Sequence, residues 1–297
     1  MKKVAAAFMI FCGIGGARAF ALSAADLDAA AINSLSSIES SSGSGRYAAA
    51  GKLGNDLSDA LNKGVRMSDG VRERVCSGLI AVYRGLGPSR EDVGTKQEIV
   101  AIETGHCTSI SAKQFIFHVM ETEPDPIRRF VLTYLGDPDG LRDDEMYSKL
   151  DEWSAKGYMK KSARPAYWVR MKGRRAVPDI LKVLNSTQDR EEVLYAAWAL
   201  QGVGSIEDMK VAYRKAKEVH LDKPIQDAPD GLYWVKDKHL IEYVRSVDGD
   251  DLKNILQLMG ASSALVPAGV VPVLSTKLKT ATGETETLLR VFSKPSG

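Results

Sequence analysis

Two cysteines, a dense run of acids and a stretch mixing Arg with aromatic residues are where residue type and spacing bear on chemistry in this chain. Cys76 and Cys107 are the pair left once Cys12 is assigned to an N-terminal leader. In an oxidising compartment such a pair predicts a disulfide; buried free thiols, which pack as small apolar side chains, are the other state open to them. His106 adjoins Cys107, but no second ligand pair stands at a zinc-type spacing, so no metal site is expected. The acidic run is Asp137-Pro138-Asp139-Gly140 followed by Asp143, Asp144 and Glu145. Calcium loops alternate carboxylates around a Gly and close on a bidentate Glu. This run lacks the D-x-D-x-D-G order and the closing Glu, and reads instead as a connecting loop whose acids cap the next helix. Asp248, Asp250 and Asp251 stand before Leu252 in the same way.

The third group is Arg164, Tyr167, Trp168, Arg170 and Arg174, with Lys172 among them. Arg and aromatic side chains together are the usual composition of a protein-binding hot spot, and these five are the expected binding residues. A basic solvated turn fits the same residues. Other chemistry finds little footing. The histidines are scattered, and His118 lies between Ile116 and Met120 on an apolar helix as a partly buried spacer. No serine has the G-x-S-x-G context of a nucleophile elbow. Gly43-Ser44-Gly45 follows no strand and opens no phosphate-binding helix. No catalytic set and no cofactor are expected.

The elements that must position these residues begin after an address. Lys2 and Lys3, an apolar stretch from Val4 to Gly16, and Ala17-Arg18-Ala19 have the three parts of a secretory signal peptide over residues 1–19. The apolar stretch is too short to span a bilayer, which takes about 20 residues, and no second run of that length follows. The expected product is periplasmic or secreted, without a membrane span. Losing Lys2, Lys3 and Arg18 lowers the formal charge from +2 by three, to −1. A near-neutral chain has no global pull toward nucleic acid, which is set aside as a partner. Residues 20–45 read as a low-complexity segment ending in the linker-like ESSSGSG of 39–45. Ordered structure is expected over 46–297, with a boundary between sub-arrays possible in the Pro-containing loop 220–231.

Strand signatures are scarce and helical periodicity runs almost throughout. Val177, Ile180, Leu181 and Leu184 recur on one face, with Pro178 at a helix start, where a missing N–H costs nothing. After a polar break, Val193, Leu194, Ala197 and Leu200 share a face while Tyr195, Ala196 and Trp198 fill most of the rest, up to Gly202 and Gly204. A helix apolar on most sides must be buried on most sides, and stacked copies of a hairpin achieve that. Similar pairs start near Leu57, Gln97 and Val271, giving a spacing of about 40 residues or its approximate double.

The stretches AVPDILKVL at 176–184 and EEVLYAAWALQGVG at 191–204 resemble a HEAT repeat, in particular the short bacterial form of phycobilin-lyase-type HEAT proteins. Leu194 stands where that family usually has Arg, and Ala199-Leu200 arrives one place early, which weakens the link to a subfamily but leaves the hairpin intact. The resemblance implies an all-α fold, a right-handed α–α superhelix of helical hairpins. Stacked hairpins curve into a concave surface suited to gripping a protein or peptide, so a non-catalytic binding scaffold is the first functional expectation. An envelope enzyme or cofactor-attachment lyase using a HEAT groove is the alternative. It needs a pocket of convergent polar groups with a perturbed acid or base.

Overall fold

The computed structural model describes residues 23–221, 237–261 and 269–292. The expected signal peptide lies outside them, as does the 220–231 loop from residue 222 onward. Among the described residues the chain is helical without a strand.

The first helix, α1 (Ala24–Ser40), starts on a reciprocal cap: Ser23 Oγ accepts from the Asp26 N–H at 3.2 Å and the Asp26 carboxylate accepts from the Ser23 N–H at 3.2 Å. It buries Leu27, Ala31, Leu35 and Ile38, one stripe at helical spacing. The second helix, α2 (Gly43–Asn62), buries Ala50, Leu53, Leu57 and Ala60. The 39–45 run is therefore not a linker. Only Ser41 and Ser42 separate the two helices, and Gly43 at φ +53° takes the left-handed conformation that the reversal requires. Ser and Gly are poor helix formers, but the stripes on either side pack against each other and override propensity. The Arg46 guanidinium ties the corner by donating to the Ile38 carbonyl at 3.1 Å. Ordered structure begins some twenty residues earlier than the expected boundary at 46.

Thirteen further α-helices follow among the described residues: α3 (Asp69–Arg84), α4 (Arg90–His106), α5 (Ile110–Thr122), α6 (Asp125–Tyr134), α7 (Asp144–Ala155), α8 (Arg164–Lys172), α9 (Val177–Ser186), α10 (Arg190–Leu200), α11 (Ile206–Glu218), α12 (Asp237–Ser246), α13 (Gly249–Ala261), α14 (Val271–Leu278) and α15 (Gly283–Phe292). Proline stands in the first turn of α6, α8, α9 and α14, where its fixed φ suits the helix and no N–H is missed. Ser89, Ser109, Asp143, Asp189 and Ser205 cap α4, α5, α7, α10 and α11 through their side chains. The pairs read from periodicity at 177–204 and near 271–292 are the hairpins α9–α10 and α14–α15, whose members pack on each other.

Helices pack on neighbours one or two places along the chain. The contacts run α1–α3–α5 and α2–α4–α6 at one end, then α8–α10, α9–α11–α13–α15 and α12–α14. One apolar cluster extends from Leu27 to Leu289. Tyr213 of α11 and Tyr243 of α12 meet edge to face at 4.6 Å, carrying the core past the segment between them. The helix α4 is unusual: α2, α3, α5 and α6 all pack on it, and it buries a continuous run from Ile99 to His106, polar residues included.

Candidate functional site

Cys76 on α3 and Cys107, the residue that ends α4, form a disulfide with Cα atoms 6.1 Å apart. Both are enclosed, at 1% and 0% exposure. One helical turn before Cys107 is Glu103, which is fully buried, and neither of its carboxylate oxygens has a hydrogen-bond partner. One of its carboxylate oxygens and the two sulfurs lie within 4.8 Å of one another. Burial pushes this carboxyl well above the ordinary carboxylate range, and the nearby charge of Glu73 pushes the same way. With the two sulfurs bonded to each other, the trio presents no thiolate, so in this state it lacks the ligand set of a thiolate metal site. A surface cavity of about 140 Å³ reaches the bridge from outside, lined by Cys76 with Asp69, Arg72, Glu73, Thr108 and Ser109.

His106 sits beside this cluster and is mostly buried, which lowers its imidazole below the usual value; Asp137 and Asp139 oppose that and Arg72 adds to it. The acidic run around Asp137 is fully engaged. Asp137 accepts from Arg170 at 3.1 Å, Asp139 pairs with Arg66, and Asp143 caps α7 while accepting from Lys113 at 2.9 Å. Glu145 also pairs with Lys113, at 2.7 Å. The run works as a connecting loop with a capping residue, as its pattern predicts. Gly140 lets it approach: a Cβ there would lie 2.2 Å from the Thr104 carbonyl oxygen of α4.

A larger cavity, about 370 Å³, opens between α3 and α5. The Tyr83 hydroxyl donates to the Glu123 carboxylate at 2.7 Å, and Lys96 donates to the same oxygen at 3.1 Å. Desolvation and this contact raise the Tyr83 phenol far above its ordinary range. His118 lines the cavity and is exposed, not the partly buried spacer its apolar neighbours suggest. The Glu123 carboxylate at the cavity is thus held by Tyr83 and Lys96.

The expected binding residues do not form one open patch. Trp168 is buried at 5% exposure, tilted against Tyr147 with centroids 6.1 Å apart, and Arg164 lies over its ring at 5.3 Å. Arg164 is engaged by Asp151 at 2.8 Å and Glu192 at 3.5 Å. Arg170 is bound to the Thr133 carbonyl at 3.0 Å as well as to Asp137. Tyr167 is half-buried and Arg174 exposed, with no ion pair to Arg174 among the described residues. The exposed tryptophan here is Trp198, at 42%, against Tyr195 with centroids 6.1 Å apart. The apolar periodicity of α10 puts Trp198 among covered side chains, and the Arg-rich neighbourhood of Trp168 offers it for binding; the fold exposes Trp198 and buries Trp168. Tyr167 lies on α8 and Tyr195 on α10, and the two helices pack on each other. Tyr195 and Trp198 pair on α10, while Arg170 on α8 and Arg174 just after it are exposed.

No protein-family model matches this chain, nor does any curated protein or solved structure. No helix among the described residues is long and apolar enough to cross a membrane.

Proposed function

We propose that this is an exported HEAT-like protein that binds a protein or peptide partner without turning it over. The supporting observation is the helix order: the main helix contacts pass between elements one or two places apart within α1–α6 and again within α7–α15, as they do when hairpins stack in a row. The right-handed superhelix and its concave face are part of this proposal, as is cleavage of the leader at residue 19. A disulfide is compatible with an oxidising compartment.

The partner's site in this reading is the α8–α10 face. Trp198 supplies exposed aromatic area beside Tyr195, and Arg174 supplies an exposed charge with no ion pair among the described residues. Arg–aromatic surfaces of this kind dominate binding energies elsewhere. The test is capture from an envelope extract by the wild-type protein, with Trp198→Ala and Arg174→Glu in parallel. Binding should fall by tenfold or more with Trp198→Ala, equivalent to about 1.4 kcal/mol. A partner held equally by all three forms, or none captured by the wild type, overturns the assignment. Arg170→Glu is a poor probe because Arg170 braces the Asp137 loop.

A further inference from the structure

A buried disulfide with a fully enclosed, unpartnered carboxyl against it is an arrangement for moving a proton as the bridge opens. We propose that Cys76–Cys107 is a thiol–disulfide exchange site for a dithiol reductant, with Glu103 as its internal acid and base. The geometry carries it. Glu103 lies within 4.8 Å of both sulfurs and has no competing hydrogen bond. Cys76 lines the 140 Å³ surface cavity and Cys107 does not, so in this proposal the incoming thiolate attacks Cys76. The leaving sulfur is then Cys107, enclosed with no access to bulk water. A thiolate formed there needs a proton from within the fold, and Glu103, one turn earlier on α4, is placed to give it.

The reductant's first thiol ionises to solvent and its sulfur attacks Cys76 Sγ. A mixed disulfide forms, the Cys76–Cys107 bond breaks, and its electron pair leaves on Cys107 Sγ, which takes the Glu103 proton. The reductant's second thiol ionises to solvent and Glu103 regains its proton from solvent; the second sulfur attacks the reductant's first sulfur and displaces Cys76, which leaves as a thiolate and takes a proton from solvent. Two electrons and two protons pass in total: the dithiol becomes a disulfide, and Cys76 and Cys107 become thiols. Asp69, Arg72 and Glu73 at the cavity, and His106 beside the cluster on α4, are the other charged or titratable groups around it among the described residues.

The test uses the full mature chain and dithiothreitol as the dithiol. Free thiols are trapped in acid and counted over time in the native protein, for the wild type, Glu103→Gln and Glu103→Asp. Loss of the internal acid should slow reduction by tenfold or more in Glu103→Gln, within the range expected of a positioned acid. Glu103→Asp, which keeps an acid, should recover part of that rate. A purely structural role gives the opposite sign, because a loosened core exposes the bridge and speeds its reduction. Folded Glu103→Gln that is reduced as fast as wild type, or faster, overturns the proposal. Should Glu103→Gln not fold, the wild type decides by infrared spectroscopy. The oxidised protein at neutral pH should show a protonated-carboxyl stretch that shifts when the bridge is reduced. No such band, or one indifferent to reduction, overturns the proposal as well.

Discussion

Glu103 and His106 give stability opposite dependences on pH. The folded protein holds the Glu103 proton well above the usual carboxylate range because burial penalises the charge. Above pH 4.5 the unfolded chain releases that proton and the folded chain does not, so this contribution is full below pH 4.5 and is lost as pH rises through the folded value. Glu103→Gln does not titrate, and its stability relative to wild type should climb between pH 4.5 and 8 in urea unfolding; a flat difference would refute the buried-proton account. His106 acts at the other limb. Burial holds it neutral, with its folded value lowered, so stability falls as pH drops below about 6.5 and the unfolded chain takes up a proton first. Gly140 is a steric case. A Cβ would lie 2.2 Å from the Thr104 carbonyl oxygen, a backbone atom that cannot swing aside. Gly140→Ala should cost about 1–3 kcal/mol, read as a lower urea midpoint.

At the scale of the helix, caps and prolines are local and were readable in the sequence. Ser205 caps the start of α11, and its side chain and that of Asp208 satisfy each other's backbone N–H groups. Ser205→Ala should therefore cost about 1 kcal/mol, in the usual range for a side-chain cap. Pro178 and Pro272 mark helix starts that hold in the fold. The bridge joins α3 to the end of α4 across 31 residues. Replacing both cysteines with Ala should cost about 3–4 kcal/mol on loop-entropy grounds, again by urea unfolding. The cysteines were legible as a pair, but whether they bond depends on two helices meeting side by side. The Ser/Gly run at 39–45 misleads for a related reason: composition measures propensity, and packing of α1 on α2 outweighs it.

Across the molecule, contacts confined to near neighbours predict uneven stability. A stacked array has no single cooperative unit when one interface weakens, so damage stays near its source. Reducing the bridge should raise amide exchange in α1 to α5 far more than in α9 to α13, as read by mass spectrometry of peptic fragments. Uniform loosening would argue for one cooperative core instead. The packing of neighbouring helices decides what reaches the surface at α8–α10. Trp168 turns inward because Arg164 and Tyr147 close over it, while Trp198 projects from a helix packed on its other sides by α8, α9 and α11.

What the sequence determined by itself is what depends on neighbours along the chain: helical periodicity, capped and proline-marked starts, and a helix as apolar as α10 that must be covered. The tertiary structure decided which side of each helix meets which partner. A run such as Ile99 to His106 has no polar face, so nothing in it reveals that Glu103 points at the cysteines; only four helices closing around α4 fix that. Periodicity gives the direction of a side chain around its own axis, and the arrangement of the other axes sets whether that direction leads to water or to a disulfide.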